Sequence, residues 1–175
     1  MTAPEPPRAA LEETEQQRLI QQIGRSLAGS LPPRWNEALL EYRALGTHVE
    51  SAALLITANG VTVPLAAPPD SEALFTRLRD GMYRPERGTW VSAAYRLRRP
   101  GSYSVDFNGE LEPAWTHPPT PDQYHDELRR FPRAVQNTPA WLAPPTDPSH
   151  NGPAPHQAQT GRDNSGERAL ERERY

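Results

Sequence analysis

The sequence predicts an α+β fold: an antiparallel sheet of about five strands, an N-terminal amphipathic helix, two further helices and a disordered C-terminal tail. Three observations lead there. Apolar residues recur at helical spacing in three segments and alternate with polar ones between them. Two turn signals, Asn59-Gly60 and Arg99-Pro100-Gly101, each join two alternating runs. The 21 prolines crowd toward both ends, so the folded part is shorter than the chain.

The elements follow in order. Residues 1–10 read as a Pro-rich lead, and 11–142 as the folded domain. In "LEETEQQRLIQQIGRSLAGSL", Leu19, Ile20, Ile23, Leu27 and Leu31 form one stripe, with acids early and arginines later to suit the helix dipole. Pro32-Pro33 ends it. From Arg34 the period changes, and "WNEALLEYRAL" sets Ala38, Leu40 and Tyr42 against Glu37, Glu41 and Arg43, the pattern of a half-buried strand. "VESAALLITANGVTVPLA" makes two strands around Asn59-Gly60. Asp70 is placed to cap a helix with Leu74, Phe75, Leu78 and Met82 on one face and Gly81 near its end. A second hairpin then aligns Val91, Ala93, Tyr95 and Leu97 with Tyr103, Val105 and Phe107, because a one-residue slip would break the match. Last comes "TPDQYHDELRRF". Thr120 and Gln123 form a capping box, Pro121 opens the helix, and Tyr124, Leu128 and Phe131 form its stripe. Trp141 and Leu142 tuck against the core. Residues 143–175 offer almost nothing to bury and read as disordered.

Composition narrows the function. A formal charge of -3 gives no basic surplus for phosphate, so no nucleic-acid partner is expected. All 19 basic residues are arginine, which physics does not require and which reads as the imprint of a GC-rich genome. With no cysteine, disulfides, thiolate metal sites and cysteine nucleophiles are excluded. No apolar run spans a membrane and the N-terminus lacks a signal peptide's apolar core, so a soluble cytoplasmic protein is expected.

The chemistry-bearing stretch is "YSVDFNGELEPAW". Its oxygens do not fit a calcium loop, because Gly109 stands fourth from Asp106 and His117 occupies the twelfth position. In the hairpin register Asp106 faces Ala94 and lies diagonal to Arg96, which points to a cross-strand ion pair. The five histidines form no compact ligand set, no serine sits in a nucleophile elbow, and no glycine loop follows a strand, so no catalytic residue, metal or cofactor is expected. Arg84 and Arg87 flank a proline turn as solvated cations. Of the four tryptophans, Trp115 stands in a Pro-rich loop beside the acids and is the one expected to touch a partner. The candidate partner patch is therefore Asp106, Asn108, Glu110, Glu112 and Trp115. Two alternatives stand beside it: an adaptor domain, and an enzyme using Asp106, Glu110 and His117.

The succession "WNEALLEYRA", a hairpin, "LFTRLRDGMYRPERGTWVSAAYRL", "YSVDFNGELEPAW" and "TPDQYHDELRRFP" resembles the YezG family of immunity proteins of bacterial polymorphic toxin systems. It is most similar to the actinobacterial branch associated with toxins related to tuberculosis necrotizing toxin. The similarity covers roughly residues 11–142. It implies a non-catalytic α+β protein that binds and neutralises a cognate toxin. Family members often carry an aromatic-rich acidic run where this chain has "DFNGELE", which Gly109 interrupts.

Overall fold

In the computed structural model, which describes residues 9–143, five strands form one antiparallel sheet. They are β1 (Glu37–Leu45), β2 (His48–Ile56), β3 (Thr62–Leu65), β4 (Ser92–Arg98) and β5 (Ser102–Asn108), in the spatial order β3-β2-β1-β4-β5. Three helices, α1 (Glu13–Ser30), α2 (Ser71–Gly81) and α3 (Pro121–Arg130), complete the expected α+β architecture. Most of the expected disordered lead and tail lies outside the described residues. No helix among those residues is long and apolar enough to cross a membrane.

β1 stands at the centre of the sheet, paired with β2 on one side and β4 on the other. Its alternate residues Ala38, Leu40, Tyr42 and Ala44 share one face and are all buried in the main core. The reversal into β2 occurs at Gly46-Thr47, a turn that the sequence pattern does not announce. Gly46 has φ +57, and a Cβ there would stand 2.5 Å from the Gln123 carbonyl, so backbone conformation and close approach both demand glycine. The Asn59-Gly60 turn falls where expected, inside a Thr57–Val61 loop closed by hydrogen bonds between Thr57 and Val61.

The register of β4 and β5 is the expected one, with Leu97 opposite Tyr103, Tyr95 opposite Val105 and Ala93 opposite Phe107. Val91 departs from it. Its N–H donates to the Asn108 carbonyl while Ser92 already pairs with Asn108, so two residues oppose one. That β-bulge turns Val91 away from Ala93 and into a separate apolar cluster with Leu45 and Leu142.

One face of the sheet is covered by α1 and α2. Leu19, Ile23 and Leu27 of α1 and Phe75 and Leu78 of α2 join Leu40, Tyr42 and Tyr95 in the main core. Tyr42 stacks on Phe75 at 5.0 Å, and Trp90 meets Tyr42 edge-on. Leu31 is only half-buried and lies just past α1, whose last turn carries no cation. Asp70 does not cap α2. Its own backbone is already helical, and its carboxylate takes a hydrogen bond from Ser26 of α1 instead.

Helix α3 serves the other cluster. Gln123 accepts the Thr120 N–H at 2.6 Å, as the capping box requires. The apolar stripe differs from expectation, however: Phe131 is buried, Tyr124 and Leu128 are half-buried, and the fully buried residue of the helix itself is Glu127. Glu127 pairs with the equally buried Arg79 of α2 at 2.6 Å and accepts the Gly46 N–H at 2.8 Å. Arg79 also donates to the Trp90 carbonyl and lies over the Phe131 ring. One ion pair thus ties α2, α3 and the β1–β2 turn together.

Candidate partner-binding surface

Beyond β5 the chain forms a loop that is fastened from both ends. At the first end, the Asn108 side chain accepts the N–H groups of Glu110 and Leu111 and donates to the Leu111 carbonyl at 2.8 Å. Asparagine suits this position because its short amide can bond its own downstream backbone. Arg133 reaches in from beyond α3 and donates to the carbonyls of Gly109 and Thr89. Trp141 donates its indole N–H to the Glu110 carbonyl at 2.7 Å. Burial lowers the Arg133 guanidinium from its ordinary value, although Glu127 opposes that shift.

At the second end Glu50 of β2 does the fastening. Its carboxylate accepts the N–H of Thr116 at 2.9 Å and of His117 at 2.7 Å, and His48 stands 3.2 Å away. Burial alone would raise its pKa, but these donors to the charged form outweigh burial and hold it at about 2. Glu50 is the residue that sequence reasoning missed here. It reads as one polar position of an alternating strand, and only the fold brings it against residues 66 and 67 positions later.

The candidate residues fall into two groups. Asp106, Glu110 and Glu112 are exposed, and Leu111 beside them is 74% exposed. Asn108 is half-buried, with its amide spent on the loop and on Ser92. Trp115 is also half-buried, packed against the Leu45, Val91 and Leu142 cluster and edge-on to His48 at 5.3 Å. The Tyr124 hydroxyl is raised first by burial and then by the Glu112 carboxylate next to it.

The expected Asp106–Arg96 pair does not form. Arg96 turns instead to Glu37 on β1, which also binds Arg98 at 3.0 Å and is held below the usual carboxylate range mainly by Arg96. Across the β1–β4 ladder Glu37 stands opposite Arg98 and diagonal to Arg96, so one carboxylate serves both arginines. Asp106 is left without an ion-pair partner among the described residues.

For chemistry the arrangement offers little. His117 lies 3.7 Å from Glu50, and no hydrogen bond or ion pair among the described residues joins it to Asp106 or Glu110. No group of histidine and acid side chains among the described residues could hold a metal ion. A groove of about 700 Å³ runs beside the loop over Met82, Trp90 and Phe107, with Arg87 and Glu110 on its rim. Arg84 and Arg87 are exposed, as the proline turn suggested. No family model matches the chain, and no curated protein is similar to it.

Proposed function

We propose that this chain is an immunity-type protein that binds and neutralises a cognate protein toxin through the loop between Asp106 and Trp115. The observation that carries the reading is the fastening of that loop. Asn108, Arg133 and Trp141 secure its backbone and Glu50 holds the chain just past it at Thr116 and His117, while Glu110, Leu111 and Glu112 are left facing solvent. A segment ordered before binding loses less conformational freedom on binding, so more of its contact energy becomes affinity. Exposed carboxylates around an apolar side chain suit a basic partner, whose approach they steer. The resemblance to the YezG family supports the same reading and supplies the class of partner.

The test is growth rescue on co-expression with toxin-like proteins encoded beside the gene. Wild type restores growth against one of them, and the triple variant Asp106→Asn, Glu110→Gln, Glu112→Gln restores it poorly. All three side chains are exposed, so the variant keeps its fold. Loss of their charges weakens binding by roughly a hundredfold. Wild type that rescues against no neighbour overturns the reading.

A further inference from the structure

Strand β5 is the outermost strand on its side of the sheet, and among the described residues it pairs with β4 alone. Such an edge is a template for another chain unless something blunts it. The opposite edge, β3, is protected: it has 4 residues, one of them Pro64. β5 has 7 residues, no proline and no cation, and Ser102, Tyr103, Ser104 and Asp106 are exposed.

The backbone direction of each β5 residue can be assigned. The Asn108 carbonyl receives the Val91 N–H, so Asn108 turns its backbone groups toward β4. With a period of two, Asp106 and Ser104 do the same, while Phe107, Val105 and Tyr103 aim theirs at the open edge. We propose that this edge takes the same strand of a second copy of the chain, antiparallel about a two-fold axis at Val105, so that the two sheets become one.

Three features fit that register. Tyr103 faces the partner's Phe107 and Val105 faces the partner's Val105, so every outward backbone group meets another outward group. Ser104 faces the partner's Asp106, a hydroxyl opposite a carboxylate. Shifting the axis to Asp106 would oppose two carboxylates, which is unfavourable. The ends are complementary as well. The turn before β5 carries Arg99, and the loop after it carries Glu110 and Glu112, so antiparallel pairing sets each basic end beside an acidic one. Arg99 lies over the Trp35 ring and has no carboxylate partner among the described residues. An isologous contact of this kind closes on itself as a dimer.

Sedimentation equilibrium of the full chain over a dilution series tests the proposal. Wild type shows a reversible dimer. Ser104→Asp opposes carboxylates twice across the axis and weakens association about tenfold, while Ser104→Arg tightens it. A folding defect cannot imitate this pair of results. Ser104 lies opposite Arg96 within the monomer, where aspartate is the favourable substitution and arginine the unfavourable one. Val105→Pro removes an outward N–H, so it abolishes the dimer and keeps a cooperative melt. Wild type that stays monomeric throughout, or Ser104→Asp that associates as tightly as wild type, overturns the proposal. Growth rescue is a separate readout: a monomer that rescues contradicts only the dimer, and a dimer that rescues against no toxin contradicts only the neutralising role.

Discussion

Glu127 and Arg79 carry opposite charges into the interior and meet nowhere near water. A buried pair of this kind adds modest net stability, because each ion first loses its hydration. Removing one partner is different, since the other charge is then stranded. Glu127→Ala should therefore cost about 3–5 kcal/mol, read from the shift in denaturant midpoint. A change within the range of a surface substitution would mean that the pair does not hold α3 to α2. Both residues were partly legible. Glu127 occupies the missing position of the Tyr124, Leu128, Phe131 stripe, and Arg79 sits within the Phe75, Leu78, Met82 stripe of α2. A charge inside an apolar stripe signals a buried partner, but the spacing within each helix cannot say which one. Asp106 shows the reverse case, because the neighbour that competes for Arg96 lies on β1, far away in sequence.

At the scale of elements, periodic segments were readable and their irregularities were not. The stripe of α1 follows from helical spacing and the register of β4 and β5 from alternation, both local properties. The bulge at Val91 is invisible to that reasoning, because it depends on two residues sharing one partner. Ile23 is fully buried in the α1 stripe, so Ile23→Ala should cost about 2–4 kcal/mol in thermal or chemical unfolding. The loop after β5 has a pH signature. Glu50 holds a pKa of about 2 when folded, against an ordinary 4.5, so the unfolded chain takes up the proton first as acid is added. Its stabilisation is complete above pH 4.5 and is lost as the pH falls through that value toward about 2. Unfolding titrations across this window should show a smaller acid loss for Glu50→Gln than for wild type. Equal slopes would show that Glu50 does not fasten the loop.

For the whole molecule, the α+β class was legible, while the strand order was not. Hairpin signals identify neighbours in sequence, whereas β1 lies between β2 and β4 through a pairing that crosses α2. That crossing places Glu50 of β2 on the same side of the molecule as the loop after β5, and so makes the candidate surface. Of the five candidate residues, the exposed carboxylates present the surface and Asn108 builds it, a division set by hydrogen bonds that composition cannot show. The central claim is that a loop ordered in advance captures a toxin. Calorimetric titration of the toxin with the Asn108→Ala variant tests it most directly, because every carboxylate remains while the loop loses the fastening at its β5 end that Asn108 supplies. Affinity should fall about tenfold, with a more unfavourable binding entropy and an unchanged salt dependence. Wild-type affinity and entropy in that variant would contradict the claim.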